Sequence, residues 1–330
     1  MKNDVEVLNR PILLFGMSRS GTSWLGKIFD SHPDVFYRHE PDSWQRMNWM
    51  PLIATMANSQ QYHDAINKYA LETLSFKAPK VASKMPVFKK SYYSDFRYYF
   101  IYLGIYLSKL GERAKFKLPV IGLPDGKAMG QVRLVWKSIE SLGRLAVINS
   151  ALEGSIAIHI VRHPCGYIAS VIRGEARRYF DDNQPSSEDY GIFEILLDSK
   201  PARQRGLTME DMRACTPLER LAWNWVLYNE NAYTELKTRQ NYKVLYYDDF
   251  CKDPISQAKE YFEFASLEWF PQTESFLKSS TTSENSAYYS VYKDPLVSAN
   301  KWKKMLSKED IEQIMGIVST SDFVIQVLGL

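Results

Sequence analysis

The sequence predicts an α/β fold: a single domain over residues 1–330, with a central parallel sheet flanked by helices. Three observations carry this. Short apolar runs alternate with stretches of helical spacing along the chain, the pattern of a sheet covered on both faces. The runs Pro11 to Gly16 and Ser155 to Val161 are nearly continuous in apolar residues, as buried parallel strands are. The first run ends in glycine and leads through a Gly/Ser turn into a helical pattern, giving a strand–loop–helix unit.

Taken in order, Pro11 to Gly16 is the first strand. Gly21 to Ser31 follows as a helix, because Trp24, Leu25, Ile28 and Phe29 fall on one face. Val35 to Glu40 is a second strand, closed by Pro41. Residues 59–75 and 91–110 read as helices and Gly122 to Gly130 as a turn-rich loop. Arg133 to Lys137 is a strand and residues 138–152 a helix. The core strand Ser155 to Val161 stops at Arg162-His163-Pro164, and a helix starts at Pro164, a favourable first-turn residue. Residues 181–216, polar with several prolines, read as a surface insertion or lid. Thr216-Pro217 opens a long helix toward Lys237, with the cap just before the proline. Tyr242 to Tyr247 is a strand and Asp253-Pro254 starts a helix. Ser307 to Ser319 is a late helix, with Ser307 and Asp310 as a capping box. Ligands of such sheets sit beyond the carboxyl ends of the strands. That brings Arg19, Glu40, Lys137, Arg162 and Tyr247 into one neighbourhood.

The net charge of +3 is too small for a nucleic-acid partner but leaves room for a local anion site. Cys165, Cys215 and Cys251 are far apart, with no CxxC pair, so no metal is called for. So sparse a set fits a reducing, cytoplasmic setting. The polar N-terminus carries no apolar run of signal-peptide length. The most apolar segment, Phe96 to Leu110, falls short of the roughly 20 residues of a spanning helix, so no stable membrane anchor is expected. It reads as a buried or pocket-lining helix, with a membrane-surface contact as the alternative.

The string Gly16-Met17-Ser18-Arg19-Ser20-Gly21-Thr22-Ser23 has the spacing of a P-loop, GxxxxGK[ST], with Thr22 where the lysine belongs. That lysine manages the β/γ-phosphates of a triphosphate. Without it, N–H groups at the helix N-terminus still cradle one phosphate. Arg19 adds a cation from inside the loop, and Thr22 and Ser23 add hydroxyls. The loop suits a 5′-phosphate with a modest anionic extension better than Mg-ATP. A second anion site follows from Arg162, which ends the core strand, and Ser170, two helical turns on. The pair can hold a second phosphate through charge-assisted hydrogen bonds.

Two separated phosphate sites match a particular family. The stretch RSGTSWLGKIFDSHPDVFYRHEP resembles the 5′-phosphosulfate loop of sulfotransferases that use 3′-phosphoadenosine-5′-phosphosulfate (PAPS). IHIVRHPCGYIASVIRG resembles their 3′-phosphate motif, with Arg162 and Ser170 on the family's arginine and serine. YYDDFCKDP resembles their tyrosine–acid–acid segment, and SANKWKKML the C-terminal segment that closes over the nucleotide. The resemblance runs from residue 11 to about 306 and implies a P-loop NTPase-like fold. It implies that Arg19 contacts the 5′-phosphate and bridging region and that Ser20, Gly21, Thr22 and Ser23 supply donors. It sets Trp24 and Tyr247 near the adenine and makes Lys301 and Trp302 nucleotide contacts. Residues 42–130 and 175–220 resemble nothing in the family.

Sulfuryl transfer needs a base near the acceptor and cations near the leaving group. Relatives acting on phenols and steroids use a histidine two residues beyond a strand lysine. Lys137 matches that lysine, but Ile139 stands at the histidine's position. Ser83-Lys84-Met85-Pro86 echoes the pattern and also lacks the histidine. Carbohydrate-type relatives place a glutamate shortly after the phosphate loop, and Glu40 matches it. Glu40 is therefore the expected base and His39 the alternative, although strand alternation points His39 away from Glu40. Lys137 is expected to steady the sulfonate or the substrate.

The acceptor reads as a small molecule: a sugar, lipid or aromatic alcohol. Candidate walls are the aromatics of 91–106, together with Trp44, Trp49, Trp223 and Trp225. Two other functions compete. A P-loop kinase needs the absent loop lysine. A non-catalytic nucleotide-binding protein of the same fold need not keep Glu40.

Overall fold

The computed structural model describes residues 10–82, 85–112, 132–177, 184–282, 291–292 and 294–330. In chain order its main elements are β1 (Ile12–Gly16), α1 (Thr22–Asp30), β2 (Val35–His39), α2 (Pro41–Trp44), α3 (His63–Ser75), α4 (Pro79–Ala82) and α5 (Asp95–Glu112). Then come β3 (Arg133–Ser138), α6 (Leu145–Ala151), β4 (Ile156–Val161), α7 (Pro164–Ala176), α8 (Tyr190–Leu197), α9 (Lys200–Arg205) and α10 (Met209–Ala214). The chain closes with α11 (Pro217–Leu236), β5 (Tyr242–Tyr246), α12 (Tyr247–Phe250), α13 (Pro254–Phe264), α14 (Pro271–Thr282), α15 (Pro295–Asn300) and α16 (Lys308–Val318).

The strands form one parallel sheet in the order β2-β3-β1-β4-β5. The alternation of side chains along β1 explains the two-sided core. Leu13 and Phe15 pack on one face with Trp136, Ala157 and helices α6, α7 and α11. Ile12 and Leu14 pack on the other with Val135, Ile158, Ile160 and the apolar stripe of α1. Gly16 ends β1 without a side chain for a steric reason: a Cβ there would lie 2.3 Å from the Ile160 carbonyl oxygen. Capping boxes start α11 at Thr216 and Glu219, and α16 at Ser307 and Asp310.

Several boundaries differ from the sequence reading. β2 ends at His39, because Glu40 turns into the left-handed region at φ 50°. β5 ends at Tyr246, and Tyr247 opens a short helix. The helix expected over 138–152 is regular only from Leu145, after a turn of 3₁₀-helix. Before that turn the Ser138 and Ser141 hydroxyls donate to Asp42. Within 181–216, the residues from 184 onward are not a surface lid. They form α8, α9 and α10, which seat Phe193, Leu196, Ala202 and Met212 in the core. Apolar residues at helical spacing were hidden there among charges and prolines.

The segment at 91–110 is helical from Asp95, but it is not buried as expected. Tyr92 and Ile101 face inward, whereas Phe96 is 81% exposed and Tyr99, Phe100 and Leu103 are more than half exposed. Among the described residues, no helix is long and apolar enough to cross a membrane. The loop expected at Gly122 to Gly130, and Ser83 and Lys84, lie outside the described residues.

Burial holds His32, His159 and His163 down to about 4, well below the ordinary imidazole. His159 is buried on β4 between Tyr242 and Asn229. Below pH 6.5 the unfolded chain protonates these rings while the folded chain does not. Stability is therefore fully present above pH 6.5 and is lost as pH falls toward 4. Each ring adds a slope of up to roughly 1.4 kcal/mol per pH unit. Urea midpoints measured between pH 7 and 4.5 should fall, and His159→Gln should flatten that slope by about one ring's share.

Candidate functional site

Two backbone constraints shape the loop after β1. Arg19 and Gly21 both lie at positive φ, 66° and 83°. The second position excludes a side chain, because a Cβ on Gly21 would come within 2.2 Å of the Tyr247 ring. The loop thus rests directly on that ring. Gly21 supplies no side-chain cap to α1, so the first-turn N–H groups at Thr22 and Ser23 are turned toward whatever sits at the helix start. Ser20 departs from expectation. It is buried, and its N–H donates to the Met17 carbonyl at 3.3 Å, so it closes the turn from behind.

Arg162, at the end of β4, ties this loop down. Its Nη1 donates to the Arg19 carbonyl at 2.9 Å and its Nη2 to the Ser298 carbonyl at 2.7 Å. Its guanidinium lies 5.3 Å from the Tyr247 ring centroid. Its own carbonyl accepts the Trp225 indole N–H at 3.1 Å. The Arg162 Nε is buried without a partner among the described residues. Ser170 faces back to the sheet edge as its helical position predicts and accepts from the Arg19 Nε at 3.1 Å.

These groups line one open cleft with about 850 Å³ of empty space, solvent included. Its walls include Arg19, Gly21, Thr22, Ser23 and Trp24 from the loop, then Arg162, Ser170 and Tyr247. Arg173, Ser298 and Lys301 complete the polar wall. Four lining residues are cations and none is a carboxylate. Burial comes first in depressing the Lys301 ammonium, and the charges of Arg173 and Arg162 add to it. Trp24 serves both roles considered for it: it lines the cleft and packs edge-on against Phe250. Trp302 is not among the lining residues; it stacks on His163 at 4.5 Å. Sequence reasoning missed Arg173 and Ser298. Arg173 lies one helical turn after Ser170, which could have revealed it, whereas nothing local marks Ser298.

A second cluster lies where β2 and β3 end. The Glu40 N–H donates to the Lys137 carbonyl at 2.8 Å, and the Glu40 carboxylate is ion-paired with the Lys137 ammonium. Lys137 is fully buried. Burial pulls its ammonium down, and the charge of Glu40 opposes this. Arg38 does not pair with Glu40; it is buried and donates to the Thr73 and Leu74 carbonyls. His39 lies close to Glu40 after all, with Nε2 3.4 Å from Oε1. The positive φ of Glu40 breaks strand alternation and swings its carboxylate back. Of the aromatic walls expected for an acceptor, Trp223 and Trp225 are buried in the core, whereas Trp44 is 59% and Trp49 40% exposed.

A family model described as the sulfotransferase family matches residues 11–271. The chain belongs to the sulfotransferase family. The matched span holds both clusters except Ser298 and Lys301, which reach the cleft from beyond it. Carbohydrate sulfotransferase 2 of Mus musculus is 20% identical over 349 residues, covering 92% of this chain and 62% of that protein. Carbohydrate sulfotransferase 3 of Mus musculus is 24% identical over 324 residues, covering 89% and 63%. The chain thus spans about three-fifths of the length of these relatives. A solved sulfotransferase domain from the curacin biosynthetic pathway aligns over 94% of this chain and 97% of that one, with 13% identity and a TM-score of 0.43.

A guanidinium whose Nε is buried without a partner is costly until an anion reaches it. Inorganic pyrophosphate at a hundred times its dissociation constant should stabilise the fold by about 2.7 kcal/mol, read as a rise in melting temperature. Arg162→Gln should abolish that rise.

Proposed function

We propose that this chain transfers a sulfuryl group from PAPS to an acceptor hydroxyl or amine, in line, with Glu40 as general base. The observation that carries this reading is the juxtaposition of two clusters at the carboxyl edge of one sheet. One is a carboxylate-free cleft lined by four cations; the other is a lone glutamate held against a buried lysine.

The donor set fits a 3′,5′-bisphosphorylated nucleotide. On this reading Thr22, Ser23 and the α1 N-terminus take the 5′-phosphate, with Arg19 above it. Arg162, Ser170, Arg173 and Lys301 take the 3′-phosphate, and Trp24 and Tyr247 flank the base. The bound nucleotide supplies the sulfuryl group and carries away the leaving oxygen's charge. The chain's residues orient it, hold that charge with fixed donors, and remove one proton. Glu40 takes the acceptor's proton as the acceptor oxygen bonds to sulfur and the bridging S–O bond breaks. No metal is required for this division of labour. Trp302, stacked on His163 beside Lys301, acts by holding the C-terminal segment in place.

Similarity to two carbohydrate sulfotransferases supports a sugar hydroxyl as acceptor, ahead of a lipid or aromatic alcohol. The three cysteines are unpaired, which supports the proposed cytoplasmic setting. The kinase reading loses ground on Thr22, which leaves the loop without the lysine that manages a triphosphate.

Calorimetry should find 3′-phosphoadenosine 5′-phosphate binding equally with and without magnesium; a preference for Mg-ATP would refute the reading. With PAPS as donor and N-acetylglucosamine, 2-naphthol and decanol as acceptors, Glu40→Gln should bind nucleotide normally. Its turnover should fall about 10²–10⁴-fold, the usual share of a general base.

A further inference from the structure

His39 is not among the residues lining the cleft, and it is buried at the elbow where β2 becomes α2. Both of its ring nitrogens are near a polar group. Nδ1 lies 2.7 Å from the Tyr37 hydroxyl, and Nε2 lies 3.4 Å from Glu40 Oε1. Burial raises the Tyr37 phenol well above its ordinary value, so that group is a neutral O–H able to donate. With that O–H donating to Nδ1, the imidazole proton is on Nε2, the tautomer that sets an N–H rather than a lone pair against the carboxylate. Lys137 approaches the same carboxylate oxygen from β3. Lys137 thus donates to Oε1 while His39 Nε2 lies within 3.4 Å of the same oxygen, and among the described residues no hydrogen bond reaches Oε2.

Resting on the reading of Glu40 as the base, we propose that His39 is a positioning residue for it. The Nε2–H, fixed by Tyr37, and the Lys137 ammonium clamp Oε1, so that Oε2 is the oxygen presented to the acceptor. His39 keeps its proton throughout. The acceptor's proton ends on Oε2, and the imidazole neither gains nor loses one. This assigns a use to the strained backbone at Glu40, because φ 50° is what lets a residue next to His39 turn its carboxylate toward that ring.

The charges around Glu40 come from every neighbouring element. Lys137 approaches from β3, Asp42 from α2 and Glu140 from the loop after β3. Tyr37 and His39 approach from β2. Asp42 is kept in place by Ser138, Ser141 and the Trp136 indole. A carboxylate with two acids nearby holds its orientation only if donors fix it, and removing one donor both frees its rotation and disfavours its ionised form.

The test has two arms. With five histidines in the chain, nitrogen-15 spectra of the full-length protein can be assigned by single substitution. His39 should be neutral and protonated on Nε2 between pH 6 and 8, and its Nε2 resonance should move in Glu40→Gln. A proton on Nδ1 instead, or a doubly protonated ring, would overturn the proposal. In the kinetic arm, with PAPS and N-acetylglucosamine or 2-naphthol, His39→Leu should lower kcat roughly 10- to 100-fold, the cost of a misplaced group. It should leave the KM for PAPS unchanged. His39→Gln, which restores an N–H at a similar reach, should recover part of the loss, and Tyr37→Phe should show a smaller loss of the same kind. The melting shift produced by the bisphosphate nucleotide should persist in all three variants, which separates positioning from misfolding. Normal kcat in His39→Leu, or a loss that His39→Gln does not partly recover, would overturn the role of His39 alone. Normal turnover in Glu40→Gln would overturn the base assignment beneath it.

Discussion

The site depends first on Arg162. Its guanidinium joins three parts of the chain that are distant in sequence: the loop after β1 through the Arg19 carbonyl, the C-terminal segment through the Ser298 carbonyl, and the β5 end through the Tyr247 ring. A half-buried cation held by carbonyl dipoles is only partly compensated, because carbonyls bring no net charge. Arg173 and Lys301 line the same cleft, so positive charge is concentrated there. In the proposed reaction the doubly phosphorylated donor brings the compensating negative charge. The element that organises the cleft is thus the one least favourable without a ligand.

Sheet order explains why the two clusters meet. β3 lies between β2 and β1 and pairs Lys137 with His39 on one side and Leu14 on the other. Lys137 therefore stands between the Glu40 elbow and the phosphate loop. Its burial makes a counter-charge obligatory, and Glu40 provides it. When Glu40 accepts a proton, that counter-charge disappears and the Lys137 cation is left to the nearest anion. In the proposed reaction the nearest anion is the bridging oxygen, which keeps the electron pair as the S–O bond breaks. Charge neutralised on the β2 side is then matched by charge appearing on the β1 side.

Where periodicity was strong, the fold was legible. The continuous apolar strands of a parallel sheet stand out at β1 and β4, and the proline starts and capping residues of α7, α11 and α16 mark their own boundaries. The segment at 184–215 was not legible, because Phe193, Leu196, Ala202 and Met212 are single apolar positions in a polar, proline-broken context. Neither was the outward face of α5, since an apolar stripe does not say which side meets the core. In the site, Arg19, Arg162 and Ser170 were legible because each lies at a fixed distance from a strand end. Ser298 and the His39–Glu40 contact were not: the first is a long-range carbonyl contact, and the second depends on a positive φ that no glycine announces.

The absent loop lysine ties these points together. A P-loop lysine concentrates one mobile cation at the end of a phosphate chain. Here the loop carries Thr22 instead, and the cations are spread over the ends of β1 and β4, the last turn of α7 and the start of the last segment. Such a distribution cannot track charge moving along a triphosphate, but it can hold two phosphates at a fixed separation while a neutral group leaves between them and the base. Positive φ at Arg19 and Glu40, both non-glycine, marks the two ends of that path. Each costs on the order of 1 kcal/mol or more. Each also sets a charged side chain where the regular strand before it could not. In the proposed reaction the sheet supplies the spacing, the cations fix the donor, and these two strained residues turn a generic phosphate cradle toward transfer.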